Sequence, residues 1–362
     1  MDYKGRQTRL QTALEPSRLD GLLITHLPNI RYLCGFSGSA GAILISESKS
    51  VFFTDGRYKE QAQVEVQGSR IVVARKPPLS AAAEWLVANA KKLGAKTLGI
   101  EAEHLSVAER SRLAKALPSG LRLREAPPLV EQARMRKDAE EIERLRAAVL
   151  LGASLFEVAL TAIRPGVKET EVAAELEYAA RRAGADGMSF DTIIASGARS
   201  ARPHGRASEA AIPANGFVVC DFGVILAGYC SDMTRTVHVG QPDEETQRVY
   251  AAVRDAQQAA LETVGAGVSA GDVDRSARKV LQRKGLGMRF THSTGHGVGL
   301  EIHEAPRLAA GQKDVLQPGM VITIEPGAYL PGVGGVRIED MVVVTEQGCQ
   351  ILTPTGKELI TI

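Results

Sequence analysis

Short apolar runs alternate with stretches of helical period through the first 130 residues. LDGLLIT (19–25) is an apolar run that closes before Pro28. AGAILIS (40–46) and SVFFTD (50–55) flank a polar, serine-rich turn, the pattern of a hairpin or of neighbouring strands. RIVVA (70–74) and TLGIE (97–101) predict two further strands. LSAAAEWLVANAKKLG (79–94) repeats its apolar positions at helical spacing and stops at a glycine. The whole predicts a compact α/β domain. Pro127-Pro128 then breaks the pattern, and a charge-dense helical stretch over 131–163 follows. A domain boundary is expected near residue 130, giving domains 1–130 and 131–362.

The second domain holds a faint internal repeat. PGVKETEVAAELEYAARRAGA (165–185) aligns with AGVSAGDVDRSARKVLQRKGL (266–286), placing Gly166 on Gly267, Val172 on Val273 and Gly184 on Gly285. NGFVVCDFG (215–223) then matches PGMVITIEPG (318–327), and GYCSDMTRT (228–236) matches GVRIEDMVV (335–343). The order helix, strand-acid, strand-acid thus occurs twice. Such a repeat predicts two halves about a pseudo-two-fold, with a pocket at their interface.

The repeat puts four acids at strand ends: Asp221 and Asp232 in the first copy, Glu325 and Glu339 in the second. One ionised carboxylate at the end of an apolar strand is costly unless paired or bound to a metal. Four converging from symmetry-related hairpins repel one another, and cations remove that cost. THSTGHGVGLEIHE (291–304) adds His292, His296 and His303 among glycines that let backbone approach a site closely. Oxygen-rich ligation with one or two imidazoles suits Mn²⁺ above all, with Co²⁺, Zn²⁺ or Fe²⁺ as alternatives. Two such ions, bridged by carboxylates and a water, form a hydrolytic centre. Asp221-Phe222-Gly223 spells a kinase motif, but no glycine-rich loop, strand lysine or catalytic loop accompanies it.

Composition narrows the class. Lys and Arg number 44 against 42 Asp and Glu, and a net charge of +2 shows no bias toward polyanions, so nucleic acid is not an expected partner. Apolar residues at 44% and charged residues at 24% are ordinary for a globular chain. No stretch approaches 18 uninterrupted apolar residues, and the charged start MDYKGRQTRLQTAL lacks the apolar core of a secretory signal. No membrane span or leader is therefore expected, and the expected location is cytoplasmic. Cys34, Cys220, Cys230 and Cys349 show no Cys-x-x-Cys spacing and make no disulfide framework.

The set DFG…GYCSDMTRT, HSTGHGVGLEIHE, ITIEPG and VRIED resembles the pita-bread metallopeptidases, the clan of methionyl aminopeptidase, aminopeptidase P and prolidase. SGARSARPHGRAS (196–208) is similar to the stretch that Xaa-Pro peptidases carry before the first aspartate. NIRYLCGFSGSAGAILI (29–45) and FFTDGRYKEQA (52–62) resemble the creatinase-type N-terminal domain. The resemblance implies a creatinase-like α/β domain followed by an α+β pita-bread catalytic domain with pseudo-two-fold symmetry. It implies that Asp221, Asp232, His296, Glu325 and Glu339 hold two divalent ions, with Asp232 and Glu339 bridging. It gives His204, His292 and His303 catalytic or substrate-contacting roles, and Arg337 a role in holding the substrate. The implied activity is hydrolysis of the Xaa-Pro bond at the N-terminus of dipeptides or short peptides. A metal-bridging water is the nucleophile and Glu325 the general base. The implied assembly is a homodimer in which the N-terminal domain limits substrate length. Methionyl-type cleavage and a non-catalytic peptide-binding role are the alternative readings.

Overall fold

The alternating runs of the first part become one mixed sheet. The structure is a computed structural model that describes residues 1–362, the side chains of residues 90–93 excepted, and it divides into two units, Met1–Arg134 and Met135–Ile362. In the first unit six strands lie in the order β4-β3-β2-β1-β5-β6. They are β1 (Gly21–Ile24), β2 (Ala42–Ser46), β3 (Lys49–Asp55), β4 (Arg70–Ala74), β5 (Thr97–Glu101) and β6 (Arg122–Ala126). The predicted hairpin is real: β2 and β3 pair antiparallel from Ala42–Phe53 to Ser46–Lys49. The helices are α1 (Tyr3–Leu14), α2 (Leu27–Cys34), α3 (Lys59–Glu65), α4 (Pro78–Leu93), α5 (Val107–Ala116) and, where the chain divides, α6 (Leu129–Met135). Leu44, Phe53, Ala82, Leu86 and Leu113 share the core between the sheet and its helices.

The long helix expected over 131–163 is two helices. α6 ends at Met135, and α7 (Ala139–Ala162) starts afresh after Asp138. Asp138 accepts from the Glu141 backbone and Glu141 returns the bond, a capping box that starts a helix at this point. The residues between are extended: Arg136 bridges Met320, and the Lys137 N–H donates to Gly319 O. Among the described residues, α7 is the one helix long and apolar enough, by length and composition, to cross a membrane. Its buried positions Leu145, Ala148, Val149, Gly152, Leu155, Phe156 and Ala159 form one helical stripe, which packs on the core of this unit.

The second unit shows the duplication bond by bond. α7 pairs with α8 (Glu169–Arg182), and α9 (Glu244–Thr263) with α10 (Ala270–Arg283). In the first half Gly166 has φ 86° and its N–H donates to Ile212 O, while the Ile212 N–H returns to Val167 O. In the second half Gly267 has φ 84° and donates to Leu316 O, and Leu316 returns to Val268 O. A left-handed turn at the same place in both copies explains the aligned glycines.

Each half then supplies antiparallel strands. The first has β7 (Gly187–Met188), β8 (Ile193–Ser196), β9 (Gly216–Phe222), β10 (Val224–Leu226), β11 (Tyr229–Cys230) and β12 (Met233–Val239), with β12-β9-β8 as its main sheet. The second has β13 (Gly295–Gly297), β14 (Glu304–Leu308), β15 (Val321–Ile324), β16 (Gly327–Leu330), β17 (Gly334–Arg337), β18 (Asp340–Thr345) and β19 (Gly348–Ile351). Its main sheet runs β14-β13-β15-β18-β19. Val218, Cys220 and Phe222 of β9 join the core under α7 and α8, which turns Asp221 to the opposite face. Ile322 and Ile324 of β15 join the core under α9 and α10, which turns Thr323 the other way.

Candidate metal centre

Two hairpins deliver the acids. β9 pairs β12 with Asp221 opposite Thr234, and Asp232 immediately precedes β12. β15 pairs β18 with Ile324 opposite Asp340, so Glu325 follows one strand and Glu339 precedes the other. Asp221, Asp232 and Glu339 are all buried. His296 comes in from β13, whose Gly295 lies against β15. A Cβ on Gly295 would stand 1.9 Å from the Thr323 carbonyl oxygen, so only glycine lets this strand bring the histidine in.

Asp232, His296 and Glu339 each offer a ligand atom, and these atoms lie within 4.8 Å of one another. His296 Nε2 stands 3.5 Å from Asp232 Oδ2 and 3.5 Å from Glu325 Oε1. His296 Nδ1 is 2.9 Å from Gly297 O, so this nitrogen carries the proton and Nε2 turns its lone pair to the acids. Asp221 Oδ2 accepts from Arg337 Nη2 at 2.6 Å. Asp221 Oδ1 and Glu339 Oε1 are buried with no hydrogen-bond partner.

The electrostatics describe a site built for positive charge. Burial, with Glu339, Asp221 and Glu325 nearby, raises the Asp232 carboxyl well above the ordinary range. Burial and then Glu325 and Asp221 do the same to Glu339. Burial pushes Glu325 up to about 7. Burial also drops His296 to about 4, and His292 to about 3 with Arg337 adding to the effect, so both imidazoles are neutral. Acids that resist ionising, orphaned carboxylate oxygens and a neutral imidazole aimed at them fit divalent cations. The donors, carboxylate oxygens with one imidazole nitrogen, suit hard or borderline ions.

The remaining residues singled out in the sequence surround this cluster. His204, His292, His303 and Arg337 line the same cavity, of about 670 Å³, as Asp221, Asp232, Glu325, Glu339 and His296. His292 Nε2 is 2.8 Å from the Tyr329 hydroxyl, and His303 stacks edge-on against His296 at 4.5 Å. Arg337 spends its donors inside the protein: on Asp221, on Tyr329 Oη at 2.7 Å, on Pro203 O at 3.1 Å and on Thr234 Oγ1 at 3.2 Å. Tyr329 and Thr234 were not anticipated. Thr234 also donates to Glu339 Oε2 at 2.7 Å, and its place on β12, two residues after Asp232, was the available signal. Phe190, Ile193 and Ile302 give the cavity apolar wall, while Arg206 and Arg307 bring positive charge to it.

A duplicated α+β unit with a buried carboxylate–histidine cluster in its cleft defines a metal-dependent hydrolase class. Residues 143–346 match the model of metallopeptidase family M24, and residues 6–136 match that of the creatinase/prolidase N-terminal domain. The chain is similar to the solved Xaa-Pro dipeptidase from Bacillus anthracis, 42% identical with TM-score 0.95 and 100% of both chains covered. It is similar to the solved X-Pro aminopeptidase from Thermotoga maritima, 37% identical with TM-score 0.90, covering 99% of this chain and 100% of that one. The Xaa-Pro dipeptidase of Pyrococcus horikoshii is 37% identical over 354 residues, 96% of each chain. The chain belongs to metallopeptidase family M24 and carries the creatinase/prolidase N-terminal domain. The expected creatinase-like domain, pita-bread domain and metallo-exopeptidase class stand, and the family implies divalent metal ions.

Proposed function

We propose that the protein hydrolyses the bond before proline at the N-terminus of dipeptides or short peptides. The observation that carries this reading is the convergence of Asp232, His296 and Glu339, with Glu325 beside them, in the cavity that His204, His292 and His303 line. Dipeptidase and aminopeptidase names among the relatives support the Xaa-Pro class.

Asp221, Asp232, His296, Glu325 and Glu339 hold two divalent cations, Mn²⁺ foremost. When bound, such ions polarise the scissile carbonyl and acidify the attacking water. Glu325 is placed to accept the water's proton at a carboxylate oxygen. His204 and His303 donate to the carbonyl oxygen as its negative charge develops. His292, braced by Tyr329, faces the substrate, and Arg337 holds Asp221 in place from behind. The proline ring packs on the apolar wall of Phe190, Ile193 and Ile302. The acting form is a homodimer, whose second copy helps restrict substrate length. All four cysteines are free thiols, which suits the reducing cytoplasm.

The test is a panel of Ala-Pro, Gly-Pro, Ala-Pro-Ala, Arg-Pro-Pro and Met-Ala-Ala with added Mn²⁺, alongside sedimentation of the same sample. Cleavage confined to the Xaa-Pro members is expected. Preference for Met-Ala-Ala, or inertness toward every member with metal bound, would refute the reading.

A further inference from the structure

We propose that Glu169, far from His204 in sequence and outside the metal cluster, is the positioning residue that fixes His204 for catalysis. Glu169 opens α8 and its carboxylate is wholly buried. Its two oxygens collect donors from both ends of the segment that carries His204. At the near end Oε1 accepts from the Ser196 N–H at 2.8 Å and from Ser196 Oγ at 2.8 Å. At the far end Oε2 accepts from the Ser208 N–H at 3.1 Å and from Ser208 Oγ at 2.7 Å.

Arg199 then carries the tie inward. Its Nε donates to Glu169 at 3.0 Å, and its Nη2 donates to the Arg206 carbonyl at 2.8 Å, two residues from His204. One carboxylate therefore closes a loop of chain at its base and braces it from within. A single buried charge surrounded by five donors has no slack, because each bond fixes the direction of the others. Packing supports the same segment: a Cβ on Gly205, the residue after His204, would lie 3.0 Å from Ala195 Cβ.

The second half repeats the device for His292. Asp274, in α10, is buried and pairs with Arg278 at 2.7 Å. Asp274 Oδ1 accepts from the Thr294 N–H and hydroxyl at 3.1 and 2.8 Å, and Arg278 donates to the carbonyls of Phe290 and His292. In both halves a carboxylate on the second helix, with an arginine, holds a histidine-bearing segment against the cavity. A general fold-stabilising role does not require that the tied segment be the histidine-bearing one each time.

The experiment is a cycle of wild type, Glu169→Gln, His204→Ala and the double variant. It is read by kcat and KM on Ala-Pro, by metal content, and by hydrogen exchange across 197–207. Glutamine keeps the shape but puts an N–H₂ where Arg199 and a serine donate. Glu169→Gln is expected to keep full metal content, to lower kcat by about 10- to 100-fold with less change in KM, and to lose exchange protection over 197–207. In the His204→Ala background the same change should cost no further rate, because the residue it positions is gone. Ser208→Ala, which removes one donor, should move kcat and exchange the same way to a smaller extent, and it serves if Glu169→Gln does not fold. An equal rate loss with and without His204, or unchanged protection over 197–207, overturns the proposal. The rate arm rests on the Xaa-Pro reading, which wild-type cleavage of Ala-Pro tests separately. The exchange arm needs no substrate and decides if that reading fails.

Discussion

Asp232 and Glu339 are buried among other carboxylates, with their carboxyl groups pushed well above the ordinary range by burial first and by each other's neighbours second. Only a positive charge in their midst makes that arrangement stable when ionised. His303, by contrast, touches the cluster through its ring, edge-on against His296, and is not one of the five residues proposed to hold the cations. The two positions should therefore fail differently. Asp232→Ala is expected to lose metal and rate together. His303→Ala is expected to retain the metal while turnover falls by about 10²- to 10⁴-fold. Elemental analysis beside steady-state kinetics separates the cases, and metal loss from His303→Ala would place that histidine among the ligands. The four acids were legible because they recur in pairs at the ends of apolar runs, and His292, His296 and His303 because they cluster among glycines. Tyr329, Thr234 and Glu169 were not, since their partners lie far away in sequence: Glu169 meets Ser196 and Ser208, and Tyr329 meets His292.

Among elements, the apolar strands β1, β2, β3, β4 and β5 and the helix α4 could be read directly, each being a run of one period bounded by a turn residue. α1 could not, because its inward face is polar: Arg6 and Gln7 are buried beside Leu10 and Leu14. Their side chains donate to the Tyr32 and Leu33 carbonyls, bonds no periodicity foretells. α2 was hidden by its proline, which sits at the start of the helix where its missing N–H costs nothing. The break between α6 and α7 was masked by continuous charge across it, although the Asp138 cap marked the restart. β13 is the element on which the site depends most closely, and the contact of Gly295 with Thr323 sets the approach. Gly295→Ala would force the strand outward or distort it, a destabilisation of about 1–3 kcal/mol. A lowered Tm with weakened metal binding is the expected result. An unchanged Tm and full metal occupancy would show that the strand has room to shift.

For the molecule as a whole, the cations and the catalytic unit should stabilise one another. Asp221 and Asp232 come from the first half, Glu325 and Glu339 from the second, so an ion bound by both sets holds the halves together. A ligand that binds only the folded state adds stability by mass action, about 2.7 kcal/mol at a hundredfold excess over its Kd. Exhaustive chelation is expected to abolish hydrolysis and lower the Tm, and Mn²⁺ to restore both. Full activity in a sample shown to be metal-free would sink the assignment. The matched turns at Gly166 and Gly267 have one more consequence. A centre made by two equivalent halves would look the same from either side, yet a peptide has a direction, with an amine at one end and a carboxylate at the other. Four acids from the repeat cannot tell those ends apart. Orientation has to come from what is not duplicated, the histidine on β13 facing one side of the acids and the arginine behind Asp221 on the other.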